Sequence, residues 1–546
     1  MGYIKFAILL IFNIIACIRA DFIPAIPFSA AELILIFCLS ASVSRKNFIA
    51  GYFVNLLLSF LFCAQSFVLY FSGEFISSLM LGNINMAGNL GKDLIIYIIA
   101  SIPAIGAVSL PTESRCSFKT ETIWISTAVF VLLSSLISNN LLANQELSPL
   151  MSTGSTLWNM GKSSVKRSFR KKLDPEKILV QFRRDSIPCD DSLNIYAEGN
   201  KKSNVIIIFS EGMSAEVIDS YNNLNLGLTP ALDSLHAHSL SFDNYYNHTA
   251  ATFRGLRGQL YSSHQELAGF YPDSSGFGQL NREQMKKKTS TRLVSLTDIL
   301  KKYGYVTYFI NPEPGSTQTT SYMESFGTYK VTSGKHKNKE TLTDKETMEV
   351  LEETVLSLHK AGTPFLVCCY NLGTHHGFDS PDVKYGNGKN PVLNKFHNYD
   401  KCIGDFLKVM DKNNIFDDTI LIFTADHCSY PSPDFLSSFK SGQKYFVARI
   451  PMFIYTTGIH PMSIDSGGRN SLALAPTVIN LLGNKEMKYE TNWFLGNSLF
   501  VPGGELDNIS YLGDEYFLTN GDKVEKLQKH PCQNVIQAYF TISINK

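Results

Sequence analysis

The chain is nearly free of net charge: 49 Lys and Arg stand against 48 Asp and Glu, leaving +1 over 546 residues. Nucleic-acid binding draws on an excess of positive charge, so this balance argues against nucleic acid as a partner. The ten cysteines include no CxxC pair, which argues against a zinc ribbon. No internal repeat is visible. One local exception to the charge balance is Lys162-Ser-Ser-Val-Lys166-Arg167-Ser-Phe-Arg170-Lys171-Lys172, with Phe169 among the cations. That stretch suits either an interfacial helix on anionic headgroups or a solvated linker.

The first 143 residues do have long apolar runs: Tyr3–Ile18, Ile26–Val43, Phe48–Phe71, Leu94–Leu110 and Ile123–Leu142. Each approaches the roughly 20 residues needed to cross a bilayer core. None carries the polar face of a buried helix in a soluble protein. The first, with Lys5 at its start and Ala20 after it, has the marks of a signal peptide. Four apolar runs behind it make a retained anchor the better reading. Basic residues favour the cytoplasmic side. Lys5, Arg45 with Lys46, and Arg115 with Lys119 fall on one side, against Arg19 and Lys92 on the other. The loop Gly73–Asp93 and everything after Ala143 are therefore expected outside the cytoplasm. Cys17, Cys38 and Cys63 lie in spans and Cys116 in a cytoplasmic loop. Cys189, Cys368, Cys369, Cys402, Cys428 and Cys532 belong to the exported part, where disulfides can form.

From about Asn204 to Pro502, strand-like and helix-like segments alternate, which predicts one α/β domain with a mixed or parallel sheet. Helices are expected at Thr229–Leu235, Val294–Tyr303, Glu346–Leu358, Tyr399–Asn413 and Ala475–Leu482, strands at Tyr305–Ile310 and Pro451–Tyr455, and an exposed loop at Ser333–Lys345. Three further apolar runs suit buried strands, and each ends on metal-binding chemistry. Val205–Phe209 leads to Ser210-Glu211, Phe365–Tyr370 to Thr374-His375-His376, and Thr419–Phe423 to Asp426-His427. Any one of these alone is read as a cap or a solvated side chain. Ligands collect beyond the carboxyl ends of strands in open α/β sheets, so three such ends together point to one divalent-ion site.

In these residues the chain resembles the membrane-anchored phosphoethanolamine and phosphoglycerol transferases of the sulfatase/alkaline phosphatase superfamily, lipoteichoic acid synthases among them. The resemblance rests on Ile208-Phe-Ser-Glu211, Leu228-Thr-Pro-Ala-Leu-Asp-Ser-Leu235, Thr249-Ala-Ala-Thr252-Phe-Arg254-Gly255, Gly373-Thr-His375-His376, Ala425-Asp426-His427, Arg449–Gly458 and Leu474–Gly483, in the family's order behind five spans. It implies an α-helical transmembrane domain of five spans (1–143), an interfacial linker (144–202) and an α/β sulfatase-like extracytoplasmic domain (203–546). It implies a multi-pass protein of the bacterial inner membrane with its catalytic domain in the periplasm. One Zn²⁺ or Mn²⁺ would be held by Glu211, Thr252, Asp426 and His427. Thr252 would be the nucleophile and His375 would bind phosphoryl oxygens or protonate the leaving alcohol. His376 is either a helper or a surface residue, and Arg254 either a phosphate contact or an ordinary surface or ion-paired arginine. Thr249 competes with Thr252, but Thr252 precedes a helix, whose N-terminus favours an anionic phosphate.

Two departures stand out. Cys428 follows the Asp-His pair where the family carries Gly. The segment Asn311–Tyr322 lacks the Trp/Arg pair with which lipoteichoic acid synthases hold glycerol phosphate. The expected activity is therefore transfer of phosphoethanolamine from phosphatidylethanolamine to a sugar hydroxyl of an envelope glycan such as lipopolysaccharide O-antigen, through a phospho-threonine intermediate. Phosphoglycerol transfer from phosphatidylglycerol is the alternative. A sulfatase or phosphodiesterase would need other machinery, since the Cys/Ser-x-Pro-x-Arg motif of sulfatases is missing from this region. A non-enzymatic receptor or scaffold would not need Glu211, Thr252, Asp426 and His427 together.

Overall fold

In a computed structural model, residues 2–76, 80–81, 102–110, 119–141, 146–168, 204–222, 224–264, 282–283, 293–325, 327, 330–482, 494–512, 515–527 and 536 are described. They form two units, Met1–Arg170 with Pro431–Ser437, and Lys171–Tyr430 with Ser438–Lys546.

The first unit is helical: α1 (Gly2–Arg19), α2 (Ala25–Ser44), α3 (Phe48–Ser72), α4 (Ile102–Ser109), α5 (Thr120–Leu141) and α6 (Pro149–Ser168). Asn47 starts α3 by accepting the Ala50 N–H (3.1 Å), and Gly73, at φ 76°, ends it. Leu9, Leu33, Ile36, Phe62 and Ala104 pack the interior. Large apolar side chains such as Ile11, Phe53, Leu57, Phe60, Leu132 and Trp158 face outward. Several interior polar groups hydrogen-bond within the protein, while Ser29 Oγ, Asn55 Nδ2 and Ser134 Oγ are buried without a hydrogen bond among the described residues. Lys5 Nζ donates to Asn55 Oδ1 and to the Val108 carbonyl (2.8 Å), and Asn13 Nδ2 to Ser66 Oγ (2.9 Å). Glu32 on α2 accepts the Ser148 hydroxyl (2.6 Å) and the N–H groups of Leu150 (2.9 Å) and Met151 (3.1 Å), in the first turn of α6. Those N–H groups have no intrahelical acceptor, and the helix dipole favours an anion there.

Two of the described helices, α2 and α3, are long and apolar enough to cross a membrane, with hydropathies of 2.0 and 1.8. The expected runs Tyr3–Ile18 and Ile123–Leu142 fall on α1 and α5; of Leu94–Leu110, only the part from Ile102 lies among the described residues. The basic stretch belongs to a helix that begins earlier than its charges, at Pro149, and Phe169–Lys172 lie outside the described residues.

The second unit is built on an eight-stranded mixed sheet in the order β4-β3-β5-β1-β6-β7-β2-β8. Its strands are β1 (Asn204–Ser210), β2 (Leu240–Asp243), β3 (Val306–Ile310), β4 (Lys330–Thr332), β5 (Phe365–Tyr370), β6 (Thr419–Ala425), β7 (Met452–Tyr455) and β8 (Met462–Asp465). Only β7 runs against the others. The three apolar runs are the centre of the sheet: every residue of β1, β5 and β6 is buried. Helices follow the expected segments at α7 (Pro230–Ala237), α8 (Thr252–Tyr261), α9 (Leu296–Lys302), α11 (Asp344–Ala361), α12 (Pro391–Lys412) and α13 (Leu474–Leu481), and α10 (Thr317–Met323) is a further helix that the sequence pattern did not predict.

Three local expectations need correction. The helix expected from Tyr399 starts at Pro391, because Asn390 caps the Val392 and Leu393 N–H groups and proline suits the first helical position. The expected loop Ser333–Lys345 contains a short turn at Gly334–His336 and ends in the Thr343/Glu346 capping box of α11. A second sheet, β9 (Ile509–Leu512), β10 (Glu515–Asn520) and β11 (Lys523–Leu527), was not foreseen. The described cysteines, Cys17, Cys38, Cys63, Cys368, Cys369, Cys402 and Cys428, are all free; Cys116, Cys189 and Cys532 lie outside the described residues.

Candidate functional site

The register of the sheet sets the three strand ends level. Phe209 pairs with Tyr370 and with Thr424, and Ser210 with Ala425, so the next residues, Glu211, Asn371 and Asp426, emerge side by side. Ligand atoms of Glu211, Asp426 and His427 all lie within 4.8 Å of one another, and all three residues are buried.

Hydrogen bonds orient this cluster. Asp426 Oδ1 accepts from Gly212 N (2.9 Å) and His427 N (2.7 Å), while the buried Oδ2 has no hydrogen-bond partner. His427 Nδ1 donates to the Cys428 carbonyl (2.7 Å), which leaves Nε2 facing Glu211 Oε1 and Asp426 Oδ2, both at 3.5 Å. Glu211 Oε2 accepts the Thr252 hydroxyl (2.8 Å). Behind it, Asn371 Oδ1 accepts from Glu211 N (2.9 Å), and the Thr374 hydroxyl donates to the Glu211 carbonyl (2.7 Å).

Two carboxylates this close resist sharing a dry site. Burial and the Glu211 charge push the Asp426 carboxyl well above the usual carboxylate range. Burial works against the Glu211 charge too, but the hydrogen bond and charge of His427 outweigh it and bring Glu211 to about 2. Burial opposes a charged His427, yet Asp426 and Glu211 hold its imidazole up at about 9. Without a cation, then, the triangle keeps a proton. Two carboxylates and one imidazole suit Zn²⁺ or Mn²⁺, and Asp426 Oδ2, buried without a hydrogen bond among the described residues, fits such an ion. The Nδ1 bond fixes the His427 tautomer as metal-bound histidines require.

Thr252 is the first residue of α8. The residue before it, Ala251, has φ 72° and ψ 139°, a conformation L residues disfavour. Such strain costs about 1–3 kcal/mol and persists where the surroundings over-determine it. The docking of α8 is that constraint. Gln259 Nε2 donates to the Ala425 carbonyl (3.0 Å), and a Cβ on Gly255 would come 2.1 Å from the Asp426 carbonyl oxygen. Only glycine permits that approach. Thr249, the competing hydroxyl, is buried and donates to the Tyr511 carbonyl (2.9 Å).

The other expected residues surround this core unevenly. His375 Nδ1 bonds the His376 carbonyl (2.9 Å), and the charge of His375 is felt at Glu211. His376 packs against Tyr430 with the rings tilted (5.3 Å between ring centroids); burial, then the Lys395 and His375 charges, push it down to about 3. Arg254 turns back toward the segment before α8, Nε donating to the Ala250 carbonyl (2.9 Å). The structure adds Lys395 of α12, whose buried Nζ donates to the His375 carbonyl (3.1 Å). Burial lowers this ammonium to about 8 against the supporting charges of Glu211 and Asp344.

A family model described as Sulfatase matches residues 203–484, just over half of the chain. The chain belongs to the sulfatase family. Lipoteichoic acid synthase 2 of Bacillus subtilis (strain 168) is 24% identical over 331 residues, 53% of this chain and 46% of that protein, so the match spans less than half of the relative. Among solved structures, the integral membrane lipooligosaccharide phosphoethanolamine transferase A (EptA) of Neisseria meningitidis is 14% identical, with a TM-score of 0.49 and coverage of 88% of this chain and 97% of that one. The lipoteichoic acid synthase LtaP of Listeria monocytogenes is 15% identical, with a TM-score of 0.48 and coverage of 68% and 96%. The matched sulfatase segment contains every residue of the candidate site, Glu211 to His427.

Proposed function

We propose that this protein is a membrane-bound transferase that moves phosphoethanolamine from phosphatidylethanolamine to a sugar hydroxyl of an envelope glycan, such as the O-antigen of lipopolysaccharide. The observation that carries this reading is the Thr252 hydroxyl, at a helix start, bonded to Glu211 within a cation-seeking triangle. The exposed apolar helices of the first unit support a lipid donor, and the names of the sulfatase-family relatives point the same way. In this reading the five apolar runs are five spans of the bacterial inner membrane, and residues 203–546 lie in the periplasm.

Glu211, Asp426, His427 and the Thr252 oxygen would hold one divalent ion, Zn²⁺ or Mn²⁺. Such an ion, when bound, lowers the pKa of a hydroxyl and offsets the charge of a phosphate. Thr252 Oγ1 attacks the donor phosphorus, and its proton leaves along the hydrogen bond to Glu211. The bond from phosphorus to the diacylglycerol oxygen breaks, and His375 delivers a proton to that oxygen. Phosphoethanolamine is then esterified to Thr252. In the second half His375 takes the proton of the sugar hydroxyl, whose oxygen attacks phosphorus, and Thr252 Oγ1 leaves and is reprotonated. Arg254 and His376 serve the phosphate indirectly, through the start of α8 and the 373–377 loop.

A second reading, phosphoglycerol transfer from phosphatidylglycerol, has the lipoteichoic acid synthase relatives in its favour. One experiment tests both. The full-length protein, in detergent with each lipid and no acceptor, should accumulate a headgroup adduct that peptide mass spectrometry places on Thr252. An adduct on Thr249, or none while Thr252→Ala remains active, would overturn the nucleophile. A glycerol phosphate adduct formed in preference would establish the second reading.

A further inference from the structure

Within electrostatic reach of Glu211 stands a carboxylate that the mechanism does not use. Glu313 follows the end of β3, the strand paired with β5 through Ile310 and Cys369. Its backbone is fixed: Glu313 N donates to Asn311 Oδ1 (2.9 Å), and its carbonyl accepts from Ser316 N (3.1 Å). Its Oε2 accepts the phenol of Tyr370, the last residue of β5.

Tyr370 is fully buried, and its hydroxyl lies within electrostatic reach of both Glu211 and Asp426. Burial, then the Glu313 charge, holds this phenol well above its ordinary range, so it stays protonated and donates. Glu313 must therefore accept. Burial, opposed by the Tyr370 hydrogen bond and aided by the Glu211 charge, pushes its carboxyl up. Its other oxygen, Oε1, has neither a hydrogen bond nor an ion pair among the described residues. Glu313 itself is half-buried.

A rigid anion beside a site that handles a phosphodiester repels the phosphate. It becomes favourable only when the substrate brings a positive charge close to its phosphorus. Phosphoethanolamine does so, since its ammonium sits one oxygen and two carbons away. The hydroxyls of glycerol, being uncharged, would make only ordinary hydrogen bonds to the same oxygen.

We propose that Glu313 selects the donor headgroup, its Oε1 taking the substrate ammonium while its Oε2 is held by Tyr370. This rests on the transferase reading above and deepens it. The test compares wild type and Glu313→Gln, full-length and metal-loaded, on phosphatidylethanolamine and phosphatidylglycerol, following diacylglycerol release and the Thr252 adduct. Glu313→Gln should lose roughly 10–100-fold in kcat/KM on phosphatidylethanolamine. Its rate on phosphatidylglycerol should be kept or raised, with metal content and Tm unchanged. An unaltered lipid preference in Glu313→Gln overturns the assignment, as does loss of a metal ion, which would make Glu313 a ligand. Wild-type preference for phosphatidylglycerol removes the ammonium role while leaving the transferase standing. Absence of an adduct from either lipid removes the transferase and this role with it. Should Glu313→Gln fail to fold, free phosphoethanolamine and glycerol phosphate are compared as inhibitors of the wild type. Phosphoethanolamine should inhibit about tenfold more tightly, and equal inhibition refutes the role.

Discussion

Glu32 in the helical unit and Asp426 in the α/β unit are both buried carboxylates, and they differ in how much bonding capacity is left over. Glu32 receives a hydroxyl and two backbone N–H groups from the start of α6. Asp426 has one oxygen that accepts two hydrogen bonds and another buried with no hydrogen bond among the described residues, beside a second carboxylate. A buried polar group is tolerated when its hydrogen bonds are made and costly when they are not. The saturated residue therefore acts as structure, while the unsaturated one holds energy that a ligand can release.

The largest effect should come from removing the unsaturated oxygen. Asp426→Asn should abolish both bound metal and transfer, while the metal-free protein keeps or gains stability, because the amide is neutral without a proton having to be held against burial and the Glu211 charge. Metal analysis and thermal melts of the metal-free protein check both halves. Full metal content in Asp426→Asn would mean that this oxygen is not a ligand, and the contrast with Glu32 would collapse.

His375 comes next. It is bonded through Nδ1 only to its neighbour's carbonyl and reaches Glu211 by charge alone. His375→Ala should therefore retain the metal but lose about 10²–10⁴-fold in kcat, the usual worth of a general acid. Loss of the ion from this variant would turn His375 into a ligand.

Sequence patterns exposed the centre of this protein better than its surroundings. Strands β1, β5 and β6 are legible because burial on both faces demands unbroken apolar runs, and the chemistry directly behind them is local in sequence. Thr252 could be preferred to Thr249 because a helix start follows it, and the structure adds that Thr249 spends its hydroxyl on Tyr511. Lys395 was missed since α12 is amphipathic, and its burial follows from how the helix docks, which local spacing does not record. The Glu313–Tyr370 pair joins two strand ends distant in sequence, and the β9–β11 sheet is made of short strands without an apolar run. In the helical unit the apolar lengths were plain, but the polar partners of Glu32 and Lys5 depend on packing between helices.

A pH titration sharpens the comparison from the side of the α/β unit. His264, just beyond α8, is buried with neither ring nitrogen hydrogen-bonded among the described residues, and burial lowers its pKa to about 3. The folded state thus binds its proton less readily than the unfolded chain, whose histidines titrate near 6.5. Its stabilising share is complete above pH 6.5 and is lost as pH falls toward 3, roughly 3 kcal/mol by pH 4.5. His248, with its ring 5.9 Å away and also lowered well below its ordinary value, adds in the same direction. Denaturant unfolding of His264→Leu between pH 7 and 4.5 should show a flatter loss than wild type, and parallel curves would refute the assignment.

The smallest effect belongs to the saturated carboxylate. Glu32→Ala strips the acceptor from Ser148 and from two N–H groups at the start of α6 while removing no functional group. Leaving such donors unsatisfied in a buried setting costs about 1–3 kcal/mol. Glu32→Gln keeps an oxygen acceptor at the same length and should recover part of that loss, short of the share that the charge draws from the helix dipole. Thermal melts of the full-length protein in detergent measure this. Metal content and the Thr252 adduct should be unchanged in both variants, because both oxygens of Glu32 are already hydrogen-bonded within the protein. A Glu32→Ala protein with wild-type Tm but impaired transfer would reverse the argument, giving this saturated carboxylate a part in the reaction.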